Sequence, residues 1–238
     1  MKRMIPVFAV IGAVLAAAII FGLMKQPGPA AELVHAEVSR SQEYVSELQE
    51  EAMNLKAWQK INPDVKYVLT FPDEERKRTI PVLATPSVSY VMKHNIRNEY
   101  DTMGSVFCDP SFDEPENLVI YGHSSQTKDW NFTFFRNYAD PQYYRSHPSI
   151  LLESESGICP CRIVSLASYD MEKDEYLGWA DSTLSGTEEI AAMFQNTVEN
   201  LIQHTDGFVY HGGGIVTLVT CDMNQNDTRY VIQAMREM

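Results

Sequence analysis

The longest uninterrupted apolar stretch lies at the start of the chain. From Ile5 to Met24 there are 20 residues without a charge, IPVFAVIGAVLAAAIIFGLM, and as a helix rising ~1.5 Å per residue they cover about 30 Å, the hydrocarbon thickness of a bilayer. A buried helix of a water-soluble domain keeps a polar stripe and this segment has none, so the pattern predicts a single membrane-spanning helix. A cleaved signal peptide is the rival reading, helped by the small residues of PGPAAEL and VHAEV, but signal cores run only about 7–15 residues. Lys2 and Arg3 precede the segment and only Lys25 directly follows it, which puts the N-terminus in the cytoplasm and the rest of the chain outside, at the cell membrane.

The pattern then changes. Gln26-Pro-Gly-Pro-Ala opens a linker over residues 26–41, after which Tyr44, Val45, Leu48, Ala52, Leu55 and Trp58 recur at three- and four-residue steps. This spacing predicts an amphipathic helix ending near Ile61-Asn62-Pro63-Asp64, because the residue before a proline disfavours the α region. Short β-branched and aromatic runs follow at Tyr67–Phe71, Thr79–Leu83, Leu118–Tyr121, Cys161–Leu166, Ile215–Thr220 and Arg229–Ala234, each bounded by polar, Gly- or Pro-containing stretches. They read as strands. One helical period interrupts them over Thr187–His204, with Ile190, Met193, Phe194, Thr197, Val198, Leu201 and Ile202 on one face and Glu188 and Glu189 in the first turn. The organisation is therefore residues 1–25 as cytoplasmic tip and anchor, 26–41 as linker, and 42–238 as one mainly β domain with helices.

Composition restricts the partners. The chain of 238 residues carries 19 Lys+Arg against 32 Asp+Glu, and residues 1–25 hold three of the basic side chains and no acidic one. The remainder is strongly acidic, which excludes nonspecific capture of nucleic acid. Four cysteines are too few for a disulfide scaffold, and Cys108, Cys159, Cys161 and Cys221 show no paired zinc spacing.

Three local signals bear chemistry, each at a strand end, where a rigid sheet holds side chains accurately. Leu118-Val-Ile-Tyr-Gly-His123 delivers a histidine, Thr217-Leu-Val-Thr-Cys221 a cysteine, and Arg229 opens a strand. Acyl transfer needs this set: a thiolate attacks a carbonyl, an imidazolium protonates the departing amine, and a guanidinium stabilises the oxygen that becomes anionic. Each residue also has a plainer reading, as a buried cysteine, a turn-capping histidine and a surface ion-pair arginine. Spacing along the chain leaves these readings open.

The combination NLVIYGH, TLVTC and an arginine eight positions after the cysteine resembles the sortase signature. KAWQKINPDV, TIPVL with SVSYVMKHN, GSVFCDP, FFRNYADPQYYRSHPSILL and the helix before the cysteine strand extend the similarity to class B sortases, from about Leu48 to Ala234. The resemblance implies an eight-stranded sortase-type β-barrel with an N-terminal helix and a long helix before the cysteine-bearing strand. It implies a membrane-anchored cysteine transpeptidase that cleaves a C-terminal sorting motif of secreted proteins through a thioacyl intermediate. The acyl group then passes to an amine of a peptidoglycan precursor or to a pilin lysine. In that scheme Cys221 is the nucleophile, His123 the general acid/base and Arg229 the oxyanion donor, while Thr220 and Asp222 flank the bound peptide. No cofactor and no metal are implied. A binding module of the same fold without the chemistry, and a thiol peptidase using water as acceptor, are the competing functions. The chain departs from the usual pattern at Val219, at Asp222 and in KYVLTFPDEERKR, so motif preference does not transfer.

Of the remaining cysteines, Cys159 and Cys161 fall on one side of an extended segment but are strained as a bridge, and Cys108 reads as a small buried apolar residue. His35, His94, His147, His204 and His211 form no metal-ligand pattern.

Overall fold

The computed structural model describes residues 54–74, 77–125, 129–173, 178–221 and 228–237. The expectations at Ile5–Met24, the linker 26–41, the helix positions before Asn54 and Asp222 lie outside them. The expected single-pass membrane location is corrected: among the described residues no helix is long and apolar enough to cross a membrane. The longest, Gly186–Asn196, has 11 residues and at ~1.5 Å per residue reaches only about half the hydrocarbon thickness.

Nine strands are described: β1 Val65–Phe71, β2 Arg78–Ala84, β3 Val106–Cys108, β4 Asn117–Gly122, β5 Ser149–Ser154, β6 Gly157–Asp170, β7 Leu201–His204, β8 Ile215–Cys221 and β9 Thr228–Arg236. Their order is β5-β1-β2-β3-β4-β8-β9-β6-β7, and a further pairing of β5 with β6 closes eight of them into a barrel, with β7 added beside β6. β6, at 14 residues, makes the closure possible, because its first part pairs with β5 and its later part with β9. The helices are short: α1 Leu55–Gln59, α2 Val88–Val91, α3 Pro141–Ser146 and α4 Gly186–Asn196. Asn54 caps α1 by accepting the Ala57 N–H at 3.0 Å, and Asp140 caps α3 by accepting the N–H of Gln142 and Tyr143.

The strands that matter for function are apolar on both faces. In β4, β8 and β9, Leu118, Ile120, Leu218 and Ile232 point into the barrel core with Phe132 and Phe135, whereas Val119, Val219 and Val231 point outward against Ile190 and Met193 of α4 and against Trp179. Double burial explains why VIYG and TLVTC read as continuous apolar runs rather than alternating ones. Asn117, fully buried, fixes the relative register of β4 and β8: its carboxamide oxygen accepts the Thr217 hydroxyl at 2.7 Å and its NH2 donates to the carbonyls of Trp179 and Asp181. A one-residue slip there would orphan all three bonds and turn every side chain to the other face.

The helix expected over Thr187–His204 ends at Asn196. Thr197 donates its hydroxyl to the Met193 carbonyl, a 3-10 turn follows at Val198–Asn200, and Leu201–His204 pairs as β7 with β6. The apolar period that suggested two further helical turns contains Val198 and Ile202, which are exposed; Val198 opens the 3-10 turn and Ile202 lies in the edge strand instead. Three short strands, β3, β5 and β7, were not expected from the sequence.

Candidate active site

The site follows from two registers. β4 and β8 run parallel, with Tyr121 opposite Val219 and Gly122 opposite Thr220. β8 and β9 run antiparallel, with Thr220 opposite Tyr230 and Cys221 opposite Arg229. His123, one position beyond Gly122, therefore continues the row that Cys221 and Arg229 share. Neighbouring strands lie about 4.8 Å apart, so three residues distant in sequence have backbones in one line at the barrel rim. Of Cys221 the backbone is described, and Asp222 lies outside the described residues.

His123, Thr220 and Arg229 border one groove of about 450 Å³. Its walls are apolar: Val88 and Met92 come from α2 and its C-cap, and Phe107 stacks on Tyr121 at 5.6 Å between ring centroids. These four wall residues are groove positions that sequence reasoning missed. Tyr121 sits directly before the Gly-His pair and was within reach; nothing in the local pattern of SVSYVM distinguishes a groove wall from an ordinary surface helix.

Gly122 is required by packing. A Cβ built there would stand 2.7 Å from the Phe132 ring and 3.0 Å from Val106, and Phe132 is itself fully buried and stacked on Phe135 at 4.3 Å. The backbone after His123 returns to the same ring, since Phe132 N–H donates to the His123 carbonyl at 3.1 Å and Ser125 N–H to the Thr133 hydroxyl at 2.8 Å. Gly122→Ala is accordingly expected to destabilise the fold by about 1–3 kcal/mol, the usual cost of overpacking. The check is a lower midpoint of denaturant unfolding with the slope unchanged.

His123 is held below the ordinary histidine value, first by burial and then by the positive charge of Arg229, with a hydrogen bond to the Met92 backbone acting the other way. Near pH 7 its imidazole is therefore uncharged and can take a proton. Arg229, half-buried, keeps one contact within its own strand, from Nη1 to the Thr228 carbonyl at 3.1 Å, and otherwise borders the groove. A base able to receive a thiol proton and a guanidinium able to receive negative charge thus face the same space.

A mainly β chain closed as an eight-stranded barrel, with this groove at the joint of β4, β8 and β9, has the architecture of the sortases. Sortase B of Listeria monocytogenes is 28% identical over 184 residues, covering 75% of this chain and 72% of that protein. Among solved structures, sortase B of Clostridium perfringens superposes with a TM-score of 0.67 at 21% identity, over 77% of this chain and 99% of the other. A Staphylococcus aureus sortase B–substrate complex gives a TM-score of 0.66 at 18% identity, over 85% and 94% of the two chains. No family model matches the chain. The chain is a homologue of sortase B, its structural neighbours are class B sortases, and this homology supports a cysteine transpeptidase.

Proposed function

We propose that Cys221, His123 and Arg229 carry out peptide exchange on proteins bearing a C-terminal sorting motif. The Cys221 sulfur adds to the carbonyl carbon of the scissile bond as its proton passes to His123. The carbonyl oxygen, now anionic, is held by the Arg229 guanidinium. The imidazolium then protonates the departing amine, the C–N bond breaks, and a thioacyl enzyme remains. An incoming amine gives a proton to the imidazole, attacks the thioester and restores the thiol. The observation that supports this reading is the pair of registers, Gly122 opposite Thr220 and Cys221 opposite Arg229, which puts the Cys221 and Arg229 backbones side by side and His123 one position beyond Gly122.

The groove's apolar walls suit the uncharged part of an extended peptide, with Thr220 and Asp222 as its flanking contacts. An acceptor amine is cationic until it reacts, and the acid-rich domain favours its approach. A peptidoglycan-precursor amine and a pilin lysine both fit that description.

The test is to incubate the chain with fluorogenic sorting peptides, with and without an oligoglycine or lysine acceptor, and to weigh the products by mass spectrometry. A new amide to the acceptor is the expected result. Free acid alone in the presence of acceptor would make the protein a thiol peptidase, and no cleavage of any peptide would leave a binding module.

A further inference from the structure

A pair of thiols stands at the other end of the barrel. Cys161 on β6 pairs with Arg236, the last residue of β9, whereas Cys221 pairs with Arg229, the second residue of the same strand. At ~3.4 Å per residue the two places are separated by about 24 Å along β9. Cys159 and Cys161 are two apart on β6 and so share a face. Both are free, Cys161 sealed in the core at 3% exposure and Cys159 half-buried, with its sulfur 3.8 Å from the Glu237 carbonyl.

Arg236 and Glu237 both act on these thiols. Arg236 spends Nη2 on the Pro115 carbonyl at 2.9 Å, but its Nε is buried without a hydrogen-bond partner, and among the described residues no carboxylate forms an ion pair with it. A guanidinium in that position favours an anion nearby, and its charge acts on both thiols and on the Tyr67 hydroxyl, while the Glu237 carboxylate works against ionisation of the thiols. The hydrogen bond from Cys161, helped by Arg236 and opposed by burial, draws Cys159 down to about 7, while that same bond and burial push Cys161 up. One thiol is thus prepared to attack and its neighbour to hold a proton until needed.

We propose that Cys159 and Cys161 form a redox-active dithiol, separate from peptide exchange, whose oxidant is a low-molecular-weight disulfide. The Cys159 thiolate attacks one sulfur of the disulfide, the S–S bond breaks, and one small thiolate leaves. The Cys161 sulfur then attacks Cys159, its proton passing to the second small thiolate as that group leaves. Two protein thiols are oxidised to one intrachain bond and one disulfide is reduced to two thiols. Residues two apart on an extended strand have Cα atoms about 6.6 Å apart, at the upper end of what a disulfide spans, and parallel Cβ atoms wider apart than the ~3.5–4.5 Å a bridge needs, so closing the bond bends β6 locally and the bond opens readily to reductant.

The test uses the full chain carrying Cys221→Ala, which removes the cysteine assigned to peptide exchange and so keeps this result independent of that function. Treated with oxidised glutathione, it is expected to lose about 2 Da, with the change confined to the peptide containing Cys159 and Cys161, and to regain it with a dithiol reductant. Adding Cys159→Ser, a change at a half-buried position, abolishes the loss. A glutathione adduct that persists on Cys159, an unreacted pair, or the same mass loss in the Cys159→Ser chain would overturn the proposal.

Discussion

Cys221→Ala is expected to remove peptide exchange down to the uncatalysed background, a loss on the order of 10⁴-fold or more, since deleting a covalent nucleophile deletes the intermediate through which the reaction runs. The variant should fold as the parent does. Val219 and Leu218, the packed residues of that strand, are untouched, and β8 keeps its pairing on both sides, to β4 and to β9. The measurement has two parts. Steady-state cleavage of a sorting peptide gives the rate, and intact-mass analysis of the parent chain mixed with peptide and no acceptor shows the acyl adduct, which the alanine chain cannot form. Residual cleavage within tenfold of the parent, or an adduct mapping to Cys108, Cys159 or Cys161, would displace Cys221 from the mechanism. Cys108 is a poor substitute because it is buried at 1% exposure and its thiol is pushed up to about 12, chiefly by that burial.

What could be read in advance divides along physical lines. The six strands expected from β-branched and aromatic runs all form, because such runs announce themselves without any knowledge of their neighbours, most plainly in β4, β8 and β9, which are apolar on both faces. β3, with three residues, and β5, SILLES, escaped notice because each is stabilised by what it pairs with: β3 bridges β2 and β4, and β5 completes the closure between β1 and β6. The tail of the helix before the cysteine strand failed for the opposite reason, since a period of three and four was present at Val198, Leu201 and Ile202, but Val198 turned into a 3-10 turn and Leu201–His204 became an edge strand beside β6. At the site, His123 and Arg229 were legible as chemistry-bearing residues at strand ends. Their shared groove was not, because it depends on a parallel β4–β8 pair joined through more than ninety intervening residues and on the buried Asn117 that sets its register. Spacing along the chain does not reach across such a crossover. Gly122 was visible only as a strand stop, and its necessity came from the Phe132 ring beneath it.

Replacing Arg229 separates charge from shape. Arg229→Ala is expected to lower kcat/KM by about 10²–10³, the range for loss of an oxyanion donor, and Arg229→Lys by at least about tenfold, because an ammonium restores the charge without the planar fork. A purely structural arginine would give loss of stability with both substitutions and no distinction between them. A second readout follows from His123, whose protonation is disfavoured first by burial and also by the Arg229 charge. In the parent the imidazole is neutral above the ordinary histidine value of about 6.5 and protonates only at lower pH, so its contribution to stability is fully present above that value and is lost as pH falls through the lowered midpoint. Taking away the Arg229 charge moves the midpoint upward, toward but not past the ordinary value, since burial remains. Arg229→Lys keeps most of the depression. Titration of the His123 ring by NMR in the three chains is therefore expected to rank them parent, lysine, alanine from lowest midpoint to highest. Coincident titrations would mean that the guanidinium does not act on the imidazole, and with wild-type rates in Arg229→Lys the arginine would leave the mechanism altogether.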